Sequence, residues 1–172
     1  IFMDFKGGST FIGYNRLPHT IAVISNLASE VDMLDRAFAV ISGLLQQRQE
    51  LWNQLKIPDI REFRKRKANG DFADVPDQPE VVIVVDEFGE FIKGNPQYKE
   101  LFSSVGRVGR TLGVRIAPFS QYIDTMTIGE LAENLGWGMT LRVENPGYST
   151  AVIQSTLGAS LPAGKGDGYL RK

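Results

Sequence analysis

The sequence predicts an α/β fold in three layers, with a mostly parallel sheet between two layers of helices. Short apolar runs rich in β-branched residues alternate along the chain with longer segments in which apolar residues recur every three to four positions. Glycine, proline, asparagine and aspartate separate these segments, as they do at turns and helix ends. The chain has 172 residues, of which 42% are hydrophobic, and nothing in it marks a second domain. We therefore predict a single domain over residues 1–172.

The predicted strands are apolar runs that end at polar residues or glycines. They comprise Ile1–Phe5, His19–Ser25, Val81–Val85, Val114–Gln121, Gly138–Val143 and a last strand entered through Gly164–Leu170. Val81–Val85 consists of five apolar residues, which is typical of a fully buried strand. Asp86 and Glu87 follow it directly and are expected at the strand's carboxyl end, where open α/β sheets bind ligands.

The predicted helices have recognisable start and stop signals. The longest begins at Asn26 or Ser29, either of which can act as its N-cap, and stops before Pro58. Its apolar stripe comprises Val31, Leu34, Phe38, Ile41, Leu45, Trp52 and Leu55. Asp59 caps a short basic helix that Gly70 closes. The remaining predicted helices are Phe88–Gly94, Asn95–Leu112, Ile128–Gly136 and Tyr148–Gly158.

The composition excludes several kinds of site. The chain has no cysteine and only one histidine, so disulfides, thiolate metal sites and histidine clusters cannot form within it. The net charge of −1 argues against a dedicated nucleic-acid or membrane-surface module. The basic run 61–67 has acidic neighbours, which favours a solvated helix face over a phosphate-binding one. No apolar run approaches the roughly 20 residues that cross a bilayer, and no signal peptide is visible.

The carboxylate pair Asp86-Glu87 indicates a nucleoside triphosphatase. A buried strand that ends in Asp-Glu is a usual arrangement for holding Mg²⁺ with the first acid and polarising a water with the second. Such enzymes also need a phosphate-binding loop, yet G-x-x-x-x-G-K-[ST] occurs nowhere in the chain. In the segment 5–10 the lysine precedes the glycines, and in 163–168 no serine or threonine follows the lysine.

The order of short motifs over nearly the whole chain carries more information than any one of them. The motif D-F-K-G-G occurs at Asp4–Gly8, and a hydrophobic strand followed by D-E-F ends at Phe88. The motif R-x-G-R-x-x-G-V then spans Arg107–Val114. It is followed by S-Q at Ser120-Gln121 and by G-K-G-D-G, which begins at Gly164. This series resembles the FtsK/SpoIIIE motor ATPases. It is most similar to the first ATPase domain of the EccC/EssC ATPases of type VII secretion.

The resemblance implies a RecA-like P-loop NTPase core with α/β/α layers. In that family the phosphate loop comes before the D-F-K-G-G strand. The resemblance therefore implies that the segment lies upstream of Ile1 and that this chain is the C-terminal portion of an N-terminally truncated core. ATP and Mg²⁺ are the implied cofactors. We predict an ATP hydrolase whose present chain is inactive alone for lack of the phosphate loop.

The resemblance also implies roles for individual residues. Asp86 is expected to hold Mg²⁺, Glu87 to position the attacking water, and Gln121 to sense the γ-phosphate. Arg107 and Arg110 lie three residues apart and share a helix face, so either is a candidate to reach a neighbouring subunit's phosphate; Arg115 is a third candidate. An exposed helix face remains an equal alternative for them.

Three further positions keep two interpretations each. Asp4 either supports the Mg²⁺ shell or forms a turn before the glycines. Lys6 is favoured as a surface turn lysine over a phosphate contact. Gly166, Asp167 and Gly168 either line the base or ribose of the nucleotide or form a plain loop that enters an edge strand. Pro118 departs from the family's aliphatic strand and is expected to disturb a central ladder, because it has no N–H.

The predicted function is that of a motor ATPase domain of a type VII secretion complex. Its implied partners are secreted protein substrates, neighbouring ATPase domains or subunits in a ring, and a membrane-anchored secretion machinery, with no nucleic acid expected. The implied location is the cytoplasmic face of the cell membrane. Two alternatives stay open: an FtsK-type DNA translocase, which shares these motifs, and a degenerate ATPase-like docking module.

Overall fold

The computed structural model describes residues 1–25 and 31–172, with the side chains of residues 31 and 32 also outside the description. Its strands are β1 (Phe2–Asp4), β2 (Val23–Ser25), β3 (Val81–Asp86), β4 (Val114–Pro118), β5 (Gly138–Leu141) and β6 (Gly168–Arg171). Its helices are α1 (Val31–Leu55), α2 (Ile60–Ala68), α3 (Phe88–Gly94), α4 (Lys99–Leu112), α5 (Thr125–Ile128), α6 (Glu130–Asn134) and α7 (Pro146–Ile153). Short 3-10 turns occur at Tyr14–Arg16, Pro96–Tyr98 and Leu157–Ser160.

The first four strands form a parallel sheet in the order β2-β1-β3-β4. Asp4 of β1 lies opposite both Ser25 of β2 and Asp86 of β3, so these three strands end at the same edge. The predicted α/β class with a parallel sheet is confirmed. The strands β5 and β6 instead form a separate antiparallel pair.

One face of the sheet forms the core. Met3, Ile24, Ile83 and Val85 point to this face and are at most 1% exposed. Helices α1, α3 and α4 cover it, and aromatic rings fill the space between them: Phe38, Phe91 and Phe102 stack or meet edge-to-face, and Phe5 stacks on Phe91 with ring centroids 3.8 Å apart. A single aromatic cluster therefore fixes three helices to the carboxyl half of β1 and β3.

The other face of the sheet is less covered. Phe2 lies on it under the rings of Phe11 and Tyr14, at centroid distances of 4.9 and 5.1 Å. Val82, further along β3, is 45% exposed. The prediction of a fully buried β3 is thus correct for the Ile83 face and wrong at Val82, because the alternating side chains of a strand meet two different environments.

The helix predictions hold where apolar periodicity is strong. Leu34, Phe38, Ile41, Leu45 and Trp52 of the α1 stripe are all buried. The proposed caps at residues 26 and 29 lie outside the described residues. No helix in the described part of the chain is long and apolar enough to cross a membrane.

Helix α2 confirms the cap and the charge pattern expected for it. The Asp59 carboxylate accepts hydrogen bonds from the backbone N–H groups of Arg61 and Glu62, as an N-cap does. Four of the five basic residues of α2 form ion pairs with nearby carboxylates. The pairs are Arg61 with Asp59, Arg64 with Glu80, Arg66 with Asp71 and Lys67 with Asp77. This pairing favours the solvated-face interpretation of the basic run.

Three predicted boundaries are wrong. The helix expected at 128–136 breaks at Gly129, whose φ of 49° and ψ of −136° suit glycine, so α5 and α6 are separate. The helix expected to end at Gly158 ends at Ile153, because Gln154 turns left-handed and its N–H bonds the Thr150 carbonyl. The second strand begins at Val23 instead of His19, since the preceding residues follow a 3-10 turn.

Candidate nucleotide-hydrolysing site

Two aspartates lie side by side at the carboxyl edge of the parallel sheet. Asp4 ends β1 and Asp86 ends β3, and the two are register partners. The two carboxylates have different hydrogen-bond partners, which indicates different roles. The segment after β1, residues 6–10, folds back across this edge and contacts both β1 and the Asp86-Glu87 step.

Asp4 organises the turn that follows it. Its two carboxylate oxygens accept the backbone N–H groups of Lys6 at 2.9 Å and Thr10 at 2.7 Å, and the residue is 1% exposed. Burial acts to raise the pKa of Asp4, but the amide hydrogen bonds outweigh it and hold that pKa below its ordinary value. Since Asp4 is almost fully buried and both of its oxygens accept backbone amides of the same turn, the contacts favour the turn-forming role of Asp4 over direct metal binding.

Asp86 is half-buried and accepts two hydrogen bonds. Its Oδ1 accepts the N–H of Glu87 at 3.0 Å, and its Oδ2 accepts the Thr10 hydroxyl at 2.8 Å. Each oxygen retains a further lone pair for a cation or a water. The sequence placed Asp86 at this edge, whereas nothing in the sequence indicated that Thr10, 76 residues away, would contact it.

Glu87 combines burial, backbone strain and an ion pair. The residue is 3% exposed and has φ 52° and ψ 42°, a left-handed conformation that is uncommon outside glycine. Its Oε1 accepts from the Lys6 ammonium at 2.9 Å. This hydrogen bond raises the pKa of Lys6 above its ordinary value. The favoured interpretation of Lys6 as a plain surface turn lysine therefore misses its contact with the buried acid.

The loop after β4 is tied to the Asp86-Glu87 step by backbone hydrogen bonds. Phe119 donates its N–H to the Val85 carbonyl at 2.8 Å and accepts from the N–H of Phe88 at 2.9 Å. Gln121, two residues further on, is exposed at the same edge of the sheet. Gln121 therefore lies on the loop after β4, which ends at Pro118 and not at Gln121 as the sequence predicted.

Sequence reasoning missed the contacts that fix this loop. The Ser120 hydroxyl accepts the N–H of Gly89 at 3.3 Å and donates to the Tyr122 carbonyl at 2.9 Å. A Cβ on Gly89 would lie 2.3 Å from the Tyr122 carbonyl oxygen. Glycine after D-E-F is therefore required for close approach of the loop that carries Gln121, and this is the only trace of the contact in the sequence.

Pro118 does not disturb the pairing of β4 with β3. It is the last residue of β4, opposite Val85. The backbone groups of Gly113 and Phe119 point toward β3, so the alternation of the strand turns the Pro118 nitrogen away from β3. In the described part of the chain β4 is an edge strand, and the missing N–H costs no ladder bond there.

The candidate arginines lie far from the carboxylates within the chain. Helix α4 ends at Leu112, next to the start of β4, so Arg107 and Arg110 lie toward the opposite edge of the sheet. Both are exposed, and Arg107 pairs with Glu100 at 3.4 Å. Arg115 instead pairs with Glu80 at 2.9 Å, which occupies it structurally. The structure therefore does not bring these arginines together with Glu87 of the same chain.

The glycine-rich segment near the C-terminus forms an exposed approach to a strand. Gly166 has a φ of 71°, Asp167 is exposed, and Gly168 begins β6 opposite Leu141. No hydrogen bond or ion pair in the described part of the chain links these three residues to the carboxylate pair. The contacts favour the plain-loop interpretation over the nucleotide-lining one.

A parallel sheet whose interior strand delivers two adjacent acids to its carboxyl edge defines the class of P-loop NTPase-type ATPase domains. Residues 1–146 match the FtsK/SpoIIIE family, and the chain belongs to that family. The resemblance predicted from the motif order is confirmed.

Two relatives with similar sequences are proteins of secretion systems. The chain is 34% identical over 172 residues to the ESX secretion system protein EccC of Thermomonospora curvata. This alignment covers 99% of this chain and 13% of the EccC protein. It is 36% identical over 163 residues to ESX-1 secretion system protein EccCa1 of Mycobacterium tuberculosis, covering 89% of this chain and 22% of that protein. The chain thus spans 13% to 22% of the length of these relatives.

Solved structures confirm the fold. The cytoplasmic domain of the Thermomonospora curvata type VII secretion ATPase EccC has a TM-score of 0.83 and 34% identity, covering 99% of this chain and 20% of that one. ATPases 2 and 3 of the same organism's EccC, in complex with a signal sequence peptide, have a TM-score of 0.78 at 22% identity, covering 95% and 28%. At that identity the second likeness concerns the fold alone.

Proposed function

We propose that this domain hydrolyses ATP with Mg²⁺ as a motor domain of a type VII protein secretion complex. The observation that carries the proposal is the Asp86-Glu87 pair at the end of β3, in which Asp86 is half-buried and Glu87 is buried and backbone-strained. Strain held at one residue beside a ligand-binding edge is typical of functional sites. Family membership and the 34% to 36% identity to EccC proteins support the same assignment.

The residues at the edge suit a magnesium–nucleotide site. Mg²⁺ is held in such enzymes by one or two carboxylates, waters and substrate phosphates, instead of a cage of protein ligands. Consistent with this, the described residues contain no cluster of three or more His, Cys, Asp or Glu side chains suited to a metal. Asp86 and the Thr10 hydroxyl are the oxygen groups that would hold the ion or its waters. When bound, Mg²⁺ neutralises charge on the phosphate oxygens.

The chain's own residues divide the remaining tasks. Glu87 accepts a proton from the attacking water or orients it for in-line attack, and it stays aligned because its backbone is fixed at the start of α3. Gln121 senses the γ-phosphate from the adjoining loop through its side-chain amide. Arg107 or Arg110 acts on the phosphate of a neighbouring domain, since neither reaches Glu87 within its own chain.

We also propose that the phosphate loop comes before Ile1 in the gene product and that residues 1–172 alone do not hydrolyse ATP. No G-x-x-x-x-G-K-[ST] occurs in the chain. Two features support a further segment packed here: β4 has an unpaired edge in the described structure, and Val82 leaves one face of a parallel sheet half-exposed.

The proposed cargo is a secreted protein, and the proposed setting is a ring or string of ATPase domains at the cytoplasmic face of the membrane. The EccC relatives are proteins of ESX secretion systems. An FtsK-type DNA translocase is less favoured, because carboxylates already pair the arginines of the basic helix α2. A degenerate docking module is disfavoured by the intact and ordered Asp86-Glu87 pair.

The test is Glu87→Gln in the full-length gene product. Loss of the base is expected to lower ATP turnover by about 10²–10⁴-fold, because a positioned general base contributes that much, while binding of a non-hydrolysable ATP analogue persists. Phosphate release and analogue titration measure the two effects. Glu90→Gln, on the exposed side of α3, is the matched control. Wild-type turnover by the Glu87→Gln protein would rule out Glu87 as the water-positioning group.

A further inference from the structure

The geometry points to Lys6 as a positioning residue that aligns Glu87, within a turn over residues 6–10 that holds both carboxylates of the site. This inference rests on the proposed ATPase function and deepens it. The sequence gives no reason to connect residue 6 with residue 87, which are 81 positions apart, and the connection exists only through the fold.

The turn is held at both ends before it reaches the acids. Asp4, buried at the end of β1, accepts the N–H groups of Lys6 and Thr10. Gly7 and Gly8 have φ values of 99° and 72°, which a chain of L-residues with side chains rarely adopts. A Cβ on Gly8 would also lie 3.0 Å from the Ser25 Cβ. The backbone from 6 to 10 is therefore fixed relative to the sheet.

From this fixed backbone two side chains reach the carboxylates. The Lys6 ammonium donates to Glu87 Oε1 at 2.9 Å, and the Thr10 hydroxyl donates to Asp86 Oδ2 at 2.8 Å. One turn thus contacts the predicted metal ligand and the predicted base at once. Any movement of residues 6–10 would change the position of both acids together.

The ion pair of Lys6 differs from an ordinary surface pair in the burial of its partner. The Lys6 side chain is 58% exposed, whereas that of Glu87 is 4% exposed. A buried carboxylate without a partner is costly, so the ammonium supplies the counter-charge that compensates for the burial of Glu87. Among the described residues no hydrogen bond reaches the other oxygen, Oε2. The pair therefore fixes Glu87 through Oε1 and leaves Oε2 to accept a hydrogen from the attacking water.

The experiment compares Lys6→Met with the unaltered full-length gene product in steady-state ATP hydrolysis. Removing an outer partner of a catalytic group typically costs 10- to 100-fold, so kcat is expected to fall by about that factor. The KM for ATP and the affinity for a non-hydrolysable analogue are expected to change by less than about threefold, since only the water-positioning interaction is lost. Lys6→Arg is expected to restore most of kcat, and Lys65→Met, on the exposed face of α2, to leave it unchanged.

A double-mutant cycle distinguishes a positioning role from a general structural one. If Lys6 acts through Glu87, then Lys6→Met lowers single-turnover hydrolysis no further once Glu87 is already Gln. An equal loss in both backgrounds would overturn the inference while leaving the ATPase assignment intact. If Lys6→Met lowers hydrolysis by less than about twofold in the protein that retains Glu87, the inference is overturned as well. Full turnover by Glu87→Gln alone would instead remove the proposed function itself.

Thermal melting of each variant verifies its fold. Because Lys6→Met leaves the buried Glu87 carboxylate without its counter-charge, it is expected to melt several degrees below the unaltered protein and to stay folded at the assay temperature. Should it melt much lower, Lys6→Gln takes its place, since it keeps a hydrogen-bond donor and removes only the charge. A Lys6→Gln protein with unaltered kcat would also contradict the inference.

Discussion

The two edges of the parallel sheet use charged side chains in opposite ways. At the carboxyl edge, Asp86 accepts one hydrogen bond at each oxygen and Glu87 accepts one at Oε1, so both retain the capacity to accept further hydrogen bonds. At the opposite edge, Arg48 and Glu80 are surrounded by protein partners. A buried charge that donates to several backbone carbonyls, as Arg48 does, holds the fold together, whereas a carboxylate that keeps free acceptor sites is available to a ligand.

Arg48 of α1 shows the structural use most clearly. It is 2% exposed, and its guanidinium donates to the carbonyls of Leu112 at 2.7 Å, Gly113 at 3.0 Å and Pro79. Burial lowers the pKa of Arg48, which remains an always-charged donor. Trp52, one turn further along α1, donates to the Thr111 carbonyl at 3.1 Å. Together they satisfy the free carbonyls at the end of α4.

The variant with the largest expected effect tests whether an arginine at the opposite edge of the sheet acts on the ATP bound by a neighbouring subunit. We expect Arg110→Ala to lower ATP turnover of the assembled full-length protein by about 10³-fold, the contribution of an arginine supplied in trans. Arg110 is the stronger candidate, because Arg107 already pairs with Glu100. Mixing Arg110→Ala with Glu87→Gln subunits should recover activity, since each supplies the group that the other lacks.

The control for this mixing experiment is Arg61→Ala, an exposed arginine of α2 that pairs only with Asp59. It should retain turnover alone. Arg107→Ala, treated in the same way, shows which arginine of the shared helix face acts. If neither arginine variant is rescued by Glu87→Gln subunits, the second edge has a structural role only.

A smaller effect is expected for stability at the second edge. Arg48→Met removes the guanidinium donor from the Leu112 and Pro79 carbonyls, and each such group costs roughly 1–3 kcal/mol, so the free energy of unfolding should fall by about 3 kcal/mol. Urea unfolding followed by circular dichroism measures the change. Arg61→Met, which removes an exposed pair, is expected to cost less than about 1 kcal/mol. Equal losses for the two variants would contradict the structural role assigned to Arg48.

The smallest expected effect concerns Asp4 and depends on pH. Asp4→Asn weakens charge-assisted bonds to two backbone N–H groups and should lower the free energy of unfolding by about 1–2 kcal/mol at pH 7. The pKa of Asp4 is lowered on folding, so its contribution is present above the unfolded pKa and is lost as pH falls through the folded one. The two proteins should therefore converge in acid.

Urea unfolding at neutral pH and at several acid pH values follows this convergence. Asp77→Asn is the matched control, because the Asp77 side chain is 89% exposed and forms an ion pair with Lys67. A difference between Asp4→Asn and the unaltered protein that stays constant into acid would show that the hydrogen bonds of Asp4 do not depend on its ionisation.

Much of the fold and part of the site can be predicted from the sequence, because they depend on residues that are close together along the chain. The β3 run ends at Asp86-Glu87, and the N-cap at Asp59 needs only the next three residues. The boundaries at Gly129 and Gln154 were less legible, because one residue's backbone conformation decided each. The effect of Pro118 was not legible either, since it depends on which side of the strand its nitrogen faces.

The sequence by itself determined the α/β class, the family and the presence of two adjacent acids at a strand end, because periodicity and motif order are properties of neighbouring residues. Only the tertiary structure decided that Lys6 and Thr10 contact those acids, that Asp4 holds the turn, and that Arg48 closes the end of α4. These contacts join residues 76 and 81 positions apart at the site and 64 apart at the second edge. Their partners are set by strand order and by the direction of each backbone group, which no local pattern encodes.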